Sequence, residues 1–348
     1  MRYKLLGRTG LRVSELCLGA MTFGEEWGWG ASKEESRRIF EAYAEAGGNF
    51  IDTANYYTGG TSERFVGEFT AGDRGRYVIA TKYTLNMRPD DPNGGGNHRK
   101  NMARSLEESL SRLRTDYVDL YWVHAWDPMT PVEETMRGLD DMVRAGKILY
   151  VGISDAPAWI VSRSNTLADL MGWSAFAALQ IPYSLIERTP ERELLPMAKA
   201  MDIAVTPWGA LGGGVLTGKY RRGNPRPKDA RYGSQEEWGN IYLTERNLRI
   251  AEEVERVAKD IGRSPSQVAL AWVRQRPYGV IVPILGATRL AQLKDNLYSL
   301  ECPLSEDQCR RLDEASRIEL GFPIAFLAQV QQIIYGNTFP LIDDHRRG

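Results

Sequence analysis

The chain has 348 residues, is 43% hydrophobic and 26% charged, and carries a formal net charge of −1 at pH 7. That near-neutral balance makes no case for nucleic acid or an anionic membrane surface as partner, and no apolar run approaches the roughly 18 residues that span a bilayer. Three cysteines (Cys17, Cys302, Cys309) make neither a disulfide framework nor a zinc spacing, three histidines (His98, His124, His345) argue against a His-rich metal site, and the start of the chain lacks a long apolar signal core, so a cytoplasmic protein is expected.

Residues 2–19 hold two short strand-like runs around Gly7-Arg8-Thr9-Gly10, which predicts a hairpin leading into a first core strand, Leu16 to Gly19. Residues 20–30 are rich in glycine and aromatics, as either a surface loop or a pocket wall. Ser32 reads as a helix N-cap with Glu35 as its capping-box partner, Ile39, Phe40, Tyr43 and Ala46 recur at helical spacing, and Gly47-Gly48 ends the helix. A strand over 50–52 follows, then a helix over 62–69 and a strand over 77–81. Residues 86–97, with Pro89, Pro92 and Gly94-Gly95-Gly96, predict a mobile loop.

A helix over 99–113 carries Met102, Leu106, Leu110 and Leu113 on one stripe. Strands are expected at 117–123, 148–154, 178–181, 203–208 and 280–284. Helices are expected at 131–146, 157–172, 191–201, 244–261, 264–275, 289–299 and 305–317. Residues 324–334 read as a docked helix in the tail after 318. Eight β-rich runs separated by helices imply a parallel sheet, and eight such units favour a closed (β/α)8 TIM barrel with an N-terminal β-hairpin and a C-terminal helical extension, one domain over 1–348. No G-x-G-x-x-G follows the first strand, which weighs against a dinucleotide-binding open sheet.

Three consecutive strands each deliver an ionisable group at or just past their carboxyl ends: Asp52 with Tyr57 five residues on, Lys82, and His124. In a parallel barrel those ends share one face, the face that carries active sites. A buried ammonium favours a neighbouring phenolate and lowers the phenol's pKa, while the ammonium itself needs an anion. Tyr57, Lys82 and Asp52 supply those three roles, and a histidine can hydrogen-bond a carbonyl oxygen. The set has a proton donor and an oxyanion partner but no nucleophile, which suits hydride addition to a carbonyl. The hydride must come from a cofactor.

Asp52-Thr53-Ala54-x-x-Tyr57, Ala80-Thr81-Lys82 and Asp116-Tyr117-Val118-Asp119-Leu120-Tyr121-x-x-His124 resemble the aldo-keto reductase superfamily, over roughly residues 2–317 and closest in motifs to its aryl-alcohol dehydrogenase and potassium-channel β-subunit branch. The resemblance implies NADPH-dependent reduction of aldehydes and ketones with a catalytic tetrad of Asp52, Tyr57, Lys82 and His124. It also implies a cofactor site. Gly19, Ala20 and Met21, with Asp52, would approach the nicotinamide ribose. Ser154, Asp155 and Gln180 would hold the carboxamide, although the family often has Asn at the position of Asp155. Trp208 would stack on the nicotinamide, and Gly209, Ala210, Leu211, Gly212 and Gly213 would lie along the pyrophosphate. Lys219 and Arg231 would meet phosphates. Gly286, Thr288, Arg289, Gln292, Asp295 and Asn296 match the adenosine site. Thr288 and Arg289 lean toward a 2′-phosphate, with NADH as the open alternative.

Trp27, Trp29, Tyr56, Trp126 and the 86–97 loop are candidates for a pocket that takes an aromatic carbonyl or alcohol. A rival reading from another class is a nucleotide-sensing partner subunit resembling potassium-channel β subunits, which share the Gly286–Asn296 motif; the intact tetrad favours the enzyme. A sugar-hydrolysing barrel lacks a second strand-end acid near Asp52.

Overall fold

A computed structural model describes residues 1–222 and 241–343. The strands are β1 (Tyr3–Leu5), β2 (Arg12–Ser14), β3 (Cys17–Gly19), β4 (Phe50–Asp52), β5 (Val78–Tyr83), β6 (Val118–Val123), β7 (Ile148–Ser154), β8 (Phe176–Gln180), β9 (Ala204–Val205) and β10 (Ile284–Gly286). β1 and β2 form the antiparallel hairpin. The other eight are parallel in the order β10-β3-β4-β5-β6-β7-β8-β9. The ring closes where Val205 N donates to Val280 O (2.8 Å) and Val282 N donates to Val205 O (2.8 Å). The architecture is the expected (β/α)8 barrel.

Helices alternate with the strands: α1 (Lys33–Glu45), α2 (Thr61–Thr70), α3 (Arg99–Leu113), α4 (Val132–Arg144), α5 (Ala158–Met171) and α6 (Leu194–Ala200) come first. Glu245–Asp260, Pro265–Arg274, Leu290–Leu297 and Glu306–Ala315 follow. Their buried faces, such as Ile39, Phe40 and Tyr43 of α1 and Met102, Leu106 and Leu110 of α3, pack with the outward strand residues Ile51, Ile79, Tyr121 and Val151 in one large core. No helix among the described residues is long and apolar enough to cross a membrane.

The inward residues form a second core: Cys17, Phe50, Val78, Ala80, Leu120, Trp122, Ala178, Ala204 and Val282. Leu6 and Val13 of the hairpin join it, which places the hairpin under the amino ends of the strands. Strand side chains alternate between faces with period two. Phe50 is therefore followed inward by Asp52, Val78 and Ala80 by Lys82, and Leu120 and Trp122 by His124. The apolar filling of the barrel and the polar groups at its mouth are successive members of the same columns.

Several expectations need correction. The eighth strand starts at Ile284, the last residue of the expected 280–284 run, because Pro283 has no N–H to continue a ladder; residues 280–282 close the ring instead. The seventh strand shrinks to two residues before Pro207. The capping box at Ser32 is half formed: Ser32 Oγ accepts from Glu35 N, but Glu35 Oε1 accepts from Leu290 N (2.6 Å). The 86–97 segment is tied down, with Gly96 N donating to Thr84 O (2.8 Å), Arg104 paired with Asp91 and Asn97 fully buried. The tail forms two short helices, Ile324–Gln329 and Gln331–Tyr335, that bury no residue; Phe322 is 83% and Ile333 82% exposed. It carries apolar side chains but does not dock them, so its composition alone misleads.

Gly152 shows how tightly the barrel interior is filled. A Cβ there would lie 2.4 Å from Cε3 of the fully buried Trp122. Gly152→Ala is expected to lower unfolding free energy by about 1–3 kcal/mol through overpacking, read as a shifted denaturant midpoint. An unchanged midpoint would mean that the Trp122 column is loosely packed.

Candidate active site

Asp52, the last residue of β4, and Lys82, in β5, meet at the mouth of the barrel. Their side chains are 3% and 0% exposed and form an ion pair through Asp52 Oδ2. Lys82 Nζ also donates to Thr53 O (2.8 Å) and Tyr57 Oη (3.2 Å), so its three N–H protons have three acceptors. Asp52 Oδ1 accepts from Gln180 Nε2 (3.1 Å), which links β4 to β8 across the mouth. A buried ion pair is tolerated when every lone pair and proton is satisfied in this way; removing one partner of such a pair costs roughly 3–5 kcal/mol.

Tyr57 is held by its loop. Thr58 and Gly59 adopt left-handed conformations (φ 48° and 60°) that reverse the chain before α2. Thr58 Oγ1 donates to Phe23 O (2.9 Å) and Ser62 Oγ donates to Ala20 O (2.6 Å), fastening the loop to the segment after β3. His124 follows β6, and its ring stands edge-on to Tyr57 with centroids 5.7 Å apart. His124 Nδ1 is buried with no hydrogen-bond partner. The four expected groups are thus brought together.

Electrostatics refine the expectation for Tyr57. Burial raises its pKa and outweighs the lowering effect of Lys82, so the phenol stays protonated at neutral pH. Burial opposes the Lys82 cation, but Asp52 and Tyr57 together, through charge and hydrogen bonds, outweigh it and hold the ammonium above its ordinary range. Burial, then the charge of Lys82, hold the His124 imidazole well below its usual value, so it is neutral. The site presents a phenol O–H and an imidazole to one opening.

Beneath it lies a charged contact that the sequence reading missed. Glu63 of α2 is fully buried; its Oε1 accepts from Thr81 Oγ1 and its Oε2 from Arg112 Nε, both at 2.5 Å. It braces β5 at the residue before Lys82. An acid in the first turn of α2, directly after Ser62, was the available signal.

The remaining candidates line the same face. Gly19 and Gly286 are paired at the ends of β3 and β10. Thr22 Oγ1 donates to Ala287 O (2.7 Å), drawing the Ala20-Met21 turn against residues 286–289. Ser154 pairs with Gln180 in register. Asp155 N donates to Gln180 O (3.1 Å), and Asp155 Oδ1 accepts from Trp208 Nε1 (3.1 Å). Gly209 to Leu211 lead into a turn at Gly212–Thr217, where Gly213 and Gly214 are left-handed (φ 62° and 98°). A Cβ on Gly214 would lie 2.7 Å from Lys219 Nζ, so bare backbone leaves room for that ammonium. Arg231 lies outside the described residues.

Gln292 Oε1 accepts from Thr288 N (2.8 Å), Thr288 Oγ1 (3.1 Å) and Arg289 N (3.2 Å), holding the turn before the Leu290 helix. Asn296 is buried. The carboxylate of Asp295 accepts from Ser264 Oγ (2.9 Å) and Gln267 Nε2 (2.7 Å), the two capping-box side chains of the neighbouring helix. Trp27 packs against Trp29 (5.6 Å), Tyr56 (6.1 Å) and Tyr57 (6.3 Å) as one aromatic wall. The backbone N–H of Trp126 donates to the carbonyl of Asp155 (3.4 Å).

These surfaces suit a long anionic nucleotide. The glycine turn with Lys219 offers backbone and a cation to phosphates, and the mouth offers unpartnered buried polar atoms at His124 Nδ1 and Thr206 Oγ1. Among the described residues, no cluster of three or more His, Cys, Asp or Glu could hold a metal ion.

The neutrality of His124 has a measurable consequence. The unfolded chain takes up a proton on this residue near pH 6.5 while the folded chain resists it, so this group's contribution to stability falls as pH drops below about 6.5. The unfolding free energy of the wild type minus that of His124→Asn should shrink on acidification, by at most about 1.4 kcal/mol per pH unit. A difference independent of pH would contradict a buried neutral imidazole.

Comparison with known proteins agrees with this geometry. Residues 15–317 match the aldo/keto reductase family. Norsolorinic acid reductase stcV of Emericella nidulans is 39% identical over 338 residues, covering 94% of this chain and 84% of that protein. The aryl-alcohol dehydrogenase [NADP(+)] of Phanerodontia chrysosporium is 36% identical over 337 residues, covering 90% and 85%. Aryl-alcohol dehydrogenase GME11368 of Pestalotiopsis microspora is 36% identical over 343 residues, covering 94% and 85%. With the tetrad assembled at the carboxyl ends of a (β/α)8 barrel and the match spanning most of its length, this chain belongs to the aldo/keto reductase family.

Proposed function

We propose that the protein is an NADPH-dependent oxidoreductase that reduces aldehydes and ketones to alcohols, aromatic ones foremost. The observation that carries this reading is the hydrogen bond from a fully buried, Asp52-paired Lys82 to the Tyr57 hydroxyl. NADPH bound along the glycine turn and the Thr288–Asn296 helix start would supply the hydride. Gly19 to Met21, Ser154, Asp155, Gln180 and Trp208 would surround the reacting end, and Lys219, Thr288 and Arg289 the phosphates.

The chain's own residues handle the oxygen. The neutral His124 directs the carbonyl by a hydrogen bond. As the carbonyl carbon gains hydride, negative charge develops on its oxygen and Tyr57 Oη gives up its proton there. The resulting phenolate faces Lys82, whose charge stabilises it. Asp52 keeps Lys82 cationic in a site that would otherwise discharge it. The Trp27, Trp29 and Tyr56 wall supports an aryl substrate, in keeping with relatives named for aryl alcohols.

One observation favours the rival nucleotide-sensing reading: the exposed apolar side chains of the tail, Phe322, Phe326, Ile333 and Ile334, offer a surface for a protein partner. Turnover separates the two. With an aryl aldehyde panel, the wild type should consume NADPH, and Tyr57→Phe should lose about 10²- to 10⁴-fold in rate, the range of general acid catalysis, while still binding NADPH. A wild type that binds NADPH and reduces no substrate would give the sensing reading precedence. Full activity in Tyr57→Phe would remove Tyr57 from the mechanism.

A further inference from the structure

Asp155 sits one residue past β7 with left-handed backbone (φ 47°), which Asp and Asn tolerate better than most residues. Its position is fixed on three sides: its N–H donates to Gln180 O, its carbonyl accepts from Trp126 N, and its Oδ1 accepts from Trp208 Nε1. The residue keeps solvent access, and its Oδ1 lies against the Trp208 indole N–H. The two carboxylates nearest Tyr57 therefore differ. Asp52 is buried and neutralised by Lys82. Asp155 has no ion-pair partner among the described residues, yet its charge acts on the Tyr57 phenol.

Burial raises the pKa of the Asp155 carboxyl, opposed by the hydrogen bond from Trp208 and the charge of Lys82; as a carboxylate it can only accept hydrogen bonds. This inference rests on the reading proposed above. Under it, hydride transfer to a carbonyl held at Tyr57 places the nicotinamide at the same mouth, within the field of Asp155. That ring is uncharged when reduced and positive when oxidised.

We infer that Asp155 is a specificity-determining residue for the redox state of the cofactor: its carboxylate favours the oxidised, cationic form over the reduced one. In the reduction direction the oxidised cofactor is a product. Asp155 thereby draws bound substrates toward alcohol and raises affinity for the oxidised nucleotide relative to the reduced one. Asparagine at this position would keep the left-handed backbone and an Oδ1 acceptor for Trp208 but lose the charge.

The test is equilibrium binding without substrate: separate titrations of NADP+ and NADPH against tryptophan fluorescence, for the wild type, Asp155→Asn and Asp155→Glu. Asp155→Asn should weaken NADP+ roughly five-fold relative to NADPH, as for unit charges about 4 Å apart at a solvent-facing site. Asp155→Glu should retain most of the wild-type ratio, and added salt should shrink the difference between wild type and Asp155→Asn. An unchanged ratio in Asp155→Asn, or an equal change in Asp155→Glu, overturns the inference while leaving the reductase reading standing. A wild type that binds neither nucleotide removes the reductase reading and this inference together.

Discussion

Two charges buried where water does not reach them set the terms for the rest of this site. Lys82 and Asp52 are nearly inaccessible, and each is stable there only because the other is present. The remaining donors of Lys82 must then find acceptors, and they find Thr53 O and Tyr57 Oη. The remaining oxygen of Asp52 must find a donor, and it finds Gln180. The catalytic geometry is thus the solution to a hydrogen-bonding problem: Tyr57 is drawn to Lys82 because an ammonium left short of acceptors would be costly in that position.

The barrel makes such a pair possible at low structural cost. Period-two alternation stacks apolar residues in the lumen and leaves the last member of each column at the mouth. Val78 and Ala80 below Lys82, and Phe50 below Asp52, shield the pair from beneath. Glu63 braces the same strand from outside, with Thr81 and Arg112 satisfying its oxygens. The opening above the pair offers proton donors, an aromatic wall and an anion at Asp155. Burial favours the uncharged form of all three groups, and the neighbouring charge of Asp52 makes Lys82 the exception: neutral His124, protonated Tyr57, cationic Lys82.

Much of this was legible in the sequence. The tetrad could be found because each member ends or follows an apolar run, and the helix over 99–113 because Met102, Leu106 and Leu110 repeat on one stripe. Contacts that depend on distant partners were less accessible. Glu35 completes a plausible capping box, but its carboxylate serves Leu290, 255 residues away. The glycine-rich 86–97 loop reads as mobile until Arg104 and Asn97 are seen to fasten it. Asp295 fits a cofactor motif, but spacing did not show that its carboxylate holds Ser264 and Gln267, the capping-box residues of Pro265–Arg274. The direction of the Tyr57 shift also escaped, because spacing shows that Lys82 is near but not that burial outweighs its charge. In the tail, apolar composition signalled helices correctly and docking incorrectly.

The central claim is that Asp52 acts on chemistry through Lys82 and Tyr57. A double-mutant cycle on the single-turnover rate of hydride transfer tests it, with Asp52→Asn, Tyr57→Phe and the combined variant under saturating NADPH. Groups that work as one unit give strongly non-additive losses. The account predicts that the combined variant is no slower than Tyr57→Phe alone. Losses that multiply would show that Asp52 contributes independently of the phenol, contradicting the proposed relay.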